Sequence, residues 1–440
     1  MKTTNIIIAL IISTTLFACN DNTVYVDEKV ESIKGLDLEV NLSEVFAMPD
    51  GRAAALVNPN RQRYGSEAPY TIAVMDKNGT YILSETFFLY NKESYEEDSL
   101  TASNHIYITS SGEFFVKQHI SNLECDAIRE LNKYGDLIYQ DESSGFRRNS
   151  DESGSSVFHD FYTKLDSDEI AIIRMNISQT LTSEYCLKFL DNYYKESREW
   201  KGSRYDDDIE VDDDKFKAFT YKIETEGNFF CTNVVSFDNR IILYNEYYPG
   251  NIVNDDEIEL QNDCNEYYIL NTDGTSVNSG KCELPIIYVK HVDDNIYIIT
   301  SDIAYKGTSD VYKWCITKMD KSGNAIYTSA IDTYSLLGNI TIDNGTLMIP
   351  GLAKNNKTKR GAIFLLDDNN SGTVKGKIEL DYNQYAVMPC VITPDDNGEY
   401  DIFALVQHDY TNSNGNTDEI SGKLFVYHTD DLRKLQLNDH

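Results

Sequence analysis

The 440-residue sequence predicts an all-β fold, a seven-bladed β-propeller of four-stranded antiparallel blades. Three observations carry this expectation. A strand–turn–strand unit recurs seven times along the chain, and a second such unit precedes each copy. The centres fall about 50 to 70 residues apart, a period that signals a propeller or another repeat array. The first unit is clearest at Trp314 to Ile331, WCITKMDKSGNAIYTSAI. Apolar residues alternate up to Asp320-Lys321-Ser322-Gly323 and again after it, and Gly323 can take the positive φ of a tight hairpin turn.

Further copies read AVMDKNGTYILS from Ala73, IRELNKYGDLIY from Ile128 and YILNTDGTSV from Tyr268, with looser ones at Leu187 to Asn192, Ile363 to Val374 and Phe425 to Leu432. The second unit is typified by Ile286 to Thr300, two strands around Asp293-Asp294-Asn295. Comparable turns lie at Pro49-Asp50-Gly51, Ser110-Ser111-Gly112, Asp166-Ser167-Asp168, Asp238-Asn239, Asp343-Asn344-Gly345 and Asp396-Asn397-Gly398. Two hairpins per period supply four strands, the makeup of one blade. Ser32 to Met48 repeats the pattern of Thr373 to Met388. Lys34 to Leu42 is therefore expected as the outer strand of the last blade, beside Lys423 to Tyr427, with Asp431 to Leu437 competing for the same place.

Within a period the first-to-second and third-to-fourth connections are short and the others long. Strand direction alternates, so all the long connections fall on one face, where binding usually resides. The loops expected there include Asn58 to Pro69, Tyr90 to Leu100, Asp141 to Ser156, Tyr247 to Asp263, Ser301 to Asp310, Ala353 to Arg360 and Gln407 to Ser421. Lys201 to Gly227 is longer still, with a possible extra strand at Lys215 to Ile223. The ligand-binding residues expected on this face are Arg61, Arg63, Tyr64, Arg147, Arg148, Tyr247, Tyr248, Tyr305, Arg360 and Tyr410. Aromatic rings offer flat faces to sugars or peptides, and the arginines are basic islands on an acidic protein. The competing reading is a set of polar loops with some tyrosines packed over blade ends.

The amino terminus pairs Lys2 with an apolar run from Ile6 to Ile12, then Leu16-Phe17-Ala18-Cys19. The run suits a signal peptide and is too short to span a bilayer. Small residues before Cys19 resemble the bacterial lipoprotein signal, which implies lipidation of Cys19. The domains expected are a signal peptide at 1–18, a lipidated tether at 19–31 and one propeller at 32–440. The net charge of −33 disfavours nucleic acid and anionic membrane surfaces as partners, leaving the lipid anchor as the membrane contact.

After Cys19, seven cysteines remain, an odd number. Cys264 and Cys282 lie nine residues either side of Asp273, a spacing open to a disulfide across two strands or to two buried thiols. The acidic run Asp206 to Asp214 reads as a solvated loop, and Asp409 to Glu419 fails the register of a calcium loop, so no metal site is expected. No GxSxG, HExxH or phosphate-cradling glycine loop occurs. The hairpin at Asp320 to Tyr327 resembles the D-x-x-G-x-x-x-W repeat of quinoprotein-like propellers. The docking Trp is replaced by Leu83, Tyr139 or Tyr327, so neither the quinone cofactor nor any other cofactor is expected. By this resemblance the chain is similar to lipid-anchored propellers of the Bacteroidota envelope, attached to the outer membrane. The function expected is non-catalytic binding of a glycan or envelope protein. The alternatives are a scaffold resembling the propeller lipoprotein of outer-membrane barrel assembly and a glycan-cleaving enzyme.

Overall fold

The computed structural model describes residues 23–25, 36–38, 45–57, 71–83, 102–108, 112–120, 125–141, 156–167, 169–178, 183–189, 221–223, 229, 231–247, 265–306, 311–355, 358–369, 371–381, 387–395, 397–411, 417–429 and 432. Two short strands, β1 (Thr23–Tyr25) and β2 (Leu36–Leu38), precede the first hairpin and join sheets built from the end of the chain. The fold is an all-β propeller of four-stranded antiparallel sheets.

Five sheets have the expected form, four consecutive antiparallel strands each. The first comprises β3 (Val45–Ala47), β4 (Ala53–Val57), β5 (Thr71–Met75) and β6 (Tyr81–Leu83). The next holds β7 (Ala102–Ile108), β8 (Phe114–Ile120), β9 (Cys125–Leu131) and β10 (Leu137–Asp141). It is followed by β11 (Ser156–Lys164), β12 (Ile170–Ser178), β13 (Ser183–Phe189) and β14 (Tyr221–Ile223). Then come β15 (Asn233–Phe237), β16 (Arg240–Tyr244), β17 (Glu266–Asn271) and β18 (Ser276–Lys281). The last of the five is β19 (Ile286–Val292), β20 (Asn295–Ser301), β21 (Tyr312–Met319) and β22 (Ala325–Thr333), with a short helix α1 (Ile303–Lys306) after β20.

Two further sheets depart from this form, so the expectation of seven like blades is corrected to five. One has six strands: β23 (Ser335–Leu336) and β24 (Thr341–Asp343) both pair with β25 (Thr346–Asn355), then β26 (Thr358–Asp367), β27 (Val374–Asp381) and, parallel at the edge, β1. The other has β28 (Val387–Pro394), β29 (Tyr400–Thr411) and β30 (Thr417–Thr429), with β2 as its fourth strand. In that sheet Leu36 is opposite Leu424 and Asp37 opposite Lys423, the neighbourhood expected for Lys34 to Leu42. The stretch expected to be a tether, 19–31, contains β1, which is paired to Glu379, Leu380 and Asp381.

Local chemistry explains the repeated hairpin. Asp320 Oδ1 accepts the backbone N–H of Ser322 at 2.8 Å and of Asn324 at 2.9 Å, closing the turn from inside. Asp76 and Asn132 do the same for their own second and fourth followers. The fourth residue must then turn left-handed, and Gly79, Gly135, Gly274 and Gly323 stand there with φ between 73° and 85°. The Asn324 side-chain amide, which donates to Asp320 Oδ2 at 2.9 Å, and then these backbone bonds hold the Asp320 carboxyl below its ordinary range.

Burial follows strand position. β20 (NIYIITS) is buried on both faces because sheets flank it on either side, whereas β22 (AIYTSAIDT) buries alternate residues. The apolar clusters lie between sheets. Tyr297, Trp314 and Ile316 pack against Ile349, Phe364 and Leu366 of the next sheet. Phe237, Tyr267 and Ile269 pack against Ile286, Ile296 and Met319. Val45 and Ala73 of the first sheet pack with Val391 and Phe403 of the last. Among the described residues these clusters join sheets that are neighbours, as in a propeller.

The connections differ from expectation in three places. Leu187 to Asn192 is no hairpin: β13 pairs with β14, so the long segment between them leaves the end that carries the short turns. Lys215 to Ile223 overlaps β14, which is the ordinary fourth strand of its sheet. Ala353 to Arg360 and Gln407 to Ser421 fall largely within strands, because β25–β26 and β29–β30 continue as paired arms to Asn355–Thr358 and Thr411–Thr417.

Candidate functional site

Side-chain hydrogen bonds tie first strands of neighbouring sheets to one another. Thr163 on β11 donates to Ser236 on β15 at 2.9 Å, and Thr341 on β24 donates to the carbonyl of Ile392 on β28 at 2.6 Å. Asn339 reaches furthest: its amide donates to the carbonyls of Cys390 at 3.0 Å and of Val45 at 2.6 Å, joining three sheets. These ties put polar side chains at the boundaries between sheets.

Among them stand Asn233, Glu246 and Lys290. Asn233 begins β15, Glu246 follows β16 and bridges to Ile286 at the start of β19, and Lys290 lies within β19. The amide of Asn233 donates to Glu246 Oε2 at 2.5 Å, and Glu246 N donates to Thr232 Oγ1 at 2.5 Å. Burial raises the Glu246 carboxyl above its ordinary range, opposed by the Asn233 hydrogen bond and the Lys290 charge. Burial lowers Lys290, opposed by Glu246. Gly338 of the next sheet sits against the Lys290 stem, where a β-carbon would come within 2.8 Å of it. A carboxyl raised and an amine lowered from their ordinary ranges, with the Asn233 amide bonded to the carboxyl, form a donor–acceptor cluster.

A second polar cluster is wholly buried between sheets. Lys318 Nζ meets Asp368 Oδ2 at 2.6 Å and the Asp368 carbonyl at 3.1 Å. The hydroxyls of Tyr297 and Tyr327 both donate to Asp368 Oδ1, at 2.9 and 2.7 Å. Lys318 also lies 5.8 and 5.9 Å from the centroids of these two rings. Burial first, and the Asp368 carboxylate second, push the Tyr297 phenol far up. Tyr327 holds the position where quinoprotein-like repeats carry a docking Trp. It docks here onto the β26–β27 turn, against Gly372. Leu83, at the corresponding position of the first sheet, is 52% exposed and does not dock this way.

Few of the sequence-predicted site residues meet. Arg61, Arg63, Tyr64, Arg147, Arg148 and Tyr248 lie outside the described residues, as do Cys19 and Cys264. Tyr305 is exposed on α1, and Arg360 is part-exposed and 3.8 Å from Glu379. Tyr410 lies on the β29 arm opposite Glu419. Tyr247 is buried with Ile287, Tyr312 and Trp314 in the apolar cluster rather than displayed on a loop. Cys282 is a free thiol, and the strand register sets Asn265 opposite it. Sequence reasoning missed Glu246, Lys290, Lys318 and Asp368. The available signal was a lysine inside an apolar strand, Lys290 in IIYVKHV and Lys318 in YKWCITKM.

No family model matches the chain, and no curated protein matches it. Solved structures do. BamB from Moraxella catarrhalis is similar at 10% identity, covering 87% of this chain and 81% of its own, with a TM-score of 0.33. A protein of unknown function from Dyadobacter fermentans is similar at 6% identity, covering 79% and 97%, with a TM-score of 0.40. The Hadza microbial sialidase Hz136 is similar at 8% identity, covering 70% and 62%, with a TM-score of 0.38. Likenesses at this level carry no argument about activity.

Proposed function

We propose that this chain is an envelope lipoprotein, anchored to the outer membrane through Cys19, that binds a glycan or a protein partner without catalysis. Binding uses the end where second strands connect to third strands. One observation carries the reading: the two ends of the scaffold differ. At the other end the described hairpins close in tight turns such as Asp320 to Asn324 and Asn271 to Thr275. The binding end sends out the β25–β26 and β29–β30 arms and the helix bearing exposed Tyr305. The Asn233–Glu246–Lys290 cluster offers alternating donors and acceptors suited to sugar hydroxyls or peptide amides. The sheets close into a ring with β2 sealing the edge of β30, a closure supported by the β2–β30 register.

The test is a glycan array and a pull-down from envelope extract with the full chain. Replacing Tyr305, or Arg147 with Arg148, by Ala is expected to weaken capture at least tenfold with folding unchanged. Lys77→Ala, in an exposed tight turn, is the control and should leave capture intact. Equal loss from both sets refutes the face, and product release from polysaccharide refutes the absence of catalysis. Cys19→Ala should move the protein out of the membrane fraction, and its retention there together with an unacylated wild type would refute the anchor.

A further inference from the structure

Cys282 and Cys315 lie on the two faces that the β15–β18 and β19–β22 sheets press together. Cys282 N donates to the Asn265 carbonyl at 2.7 Å, the Asn265 side-chain Nδ2 donates to the Cys282 carbonyl at 2.9 Å, and Glu266 opposite Lys281 sets these two residues as the next cross-strand pair. Residues two apart on a strand share a face, so Asn265 and Cys282 face the same way as Tyr267 and Ile269. Those two belong to the cluster shared with the next sheet, and Cys282 packs against it. On that next sheet Cys315 is opposite Thr300, as Met319 is opposite Ile296. Ile296, Ile298 and Met319 line the same cluster, so Cys315 looks back toward Cys282. Its neighbours Trp314 and Ile316 point the other way.

Asn278 Nδ2 donates to the Ser322 carbonyl at 3.0 Å and ties the two sheets at the turn end, and both cysteines lie on the strand side of that tie, away from the turns. Both thiols are half-buried, whereas Cys231 and Cys390 are fully enclosed.

We propose that Cys282 and Cys315 are a redox-responsive thiol pair that closes as a disulfide between adjacent blades. The oxidant is a small-molecule disulfide. The Cys315 thiolate attacks one of its sulfurs, forming a mixed disulfide and releasing one thiolate. The Cys282 thiolate then attacks the Cys315 sulfur, forming the interblade bond and releasing the second thiolate. The two protein protons pass to the two released thiolates, so two thiols are oxidised for one disulfide reduced. Facing sheets stand about 10 Å apart and a disulfide joins Cα atoms no more than about 7 Å apart. Closure therefore draws the end of β18 toward β21. Burial, and then the neighbouring Cys315 thiol, push Cys282 up to about 12. Burial also raises Cys315. Thiolate is the reactive form, so closure is slow at neutral pH and speeds about tenfold per pH unit between 7 and 9.

The experiment incubates the folded full chain with oxidised glutathione at pH 7, 8 and 9, quenches with acid and an alkylating agent, and maps cross-linked peptides by mass spectrometry. The expected result is a Cys282–Cys315 peptide whose yield rises with pH. Cys264→Ser should keep that cross-link, while Cys282→Ser and Cys315→Ser should each lose it and carry glutathione on the remaining thiol. A Cys264–Cys282 cross-link, separate glutathione adducts on both thiols of the wild type, or unmodified thiols at pH 9 would each overturn the proposal.

Discussion

Removing the Asp368 carboxylate is the sharpest single perturbation the structure offers. Lys318 and Asp368 are 9% and 8% exposed in their side chains, and the pair is 2.6 Å apart. Asp368→Ala leaves an ammonium without its counter-charge and two tyrosine hydroxyls without their acceptor. Breaking a buried pair from one side costs about 3–5 kcal/mol, because the remaining charge stays desolvated. Unfolding entropy runs near 2.1 cal/mol/K per residue, so a 440-residue chain loses about 1 °C of Tm for each kcal/mol. The expected drop is therefore about 4 °C in a thermal scan. Adding Lys318→Met should recover much of it, since a methionine of similar volume needs no partner. A single variant that loses less than about 1 kcal/mol, or a double variant no more stable than the single, would show that water reaches the cluster and refute the reasoning.

Two further outcomes follow from the same geometry. Glu246 has a folded-state pKa above its ordinary 4.5, so its contribution favours folding at low pH and is lost as pH rises through the folded value. The stability of Glu246→Gln relative to wild type should therefore grow between pH 4 and 7 in urea midpoints, and a pH-independent difference would sink the assignment. Deleting residues 34–42 removes β2, exposes the β30 edge, and should lower Tm by several degrees, whereas unchanged melting would mean β2 adds nothing to that sheet.

The hairpins were legible because their chemistry is local. An Asp or Asn that accepts two amides and a glycine three residues on specify the turn without reference to anything distant. At Leu187 to Asn192, where that pair is incomplete, the reading failed. Asp191-Asn192 resembles a turn, but Tyr193 and Tyr194 follow and no glycine takes the left-handed position, so β13 finds its partner at β14 instead. The arms misled for another reason. Lys354 and Lys359 are cross-strand neighbours with no apolar alternation to mark them as strand, and like charges set opposite argue against pairing. Tyr247 looked like a ligand platform among polar loops, yet the Glu246–Ile286 bridge turns it into the core. The polar clusters were illegible because their members are far apart in sequence. Lys318 and Asp368 are separated by 50 residues, and nothing near either one names the other.

That separation bears on how a repeat protein keeps its sheets in order. The hairpin turns are nearly interchangeable, and the apolar clusters would tolerate several neighbours of similar volume. The polar ties differ at every boundary where they occur. Lys164 is 3.1 Å from Glu113 and 4.0 Å from Glu130 across one boundary, and Asn278 donates to the Ser322 carbonyl across another. The next boundary holds Lys318 with Asp368, and beyond it Asn339 reaches Cys390 and Val45. A sheet docked out of turn would bury Lys318 without a carboxylate, at a cost comparable with the whole effect expected of Asp368→Ala. The turns thus make each blade, and the unlike buried charges decide which blade follows which.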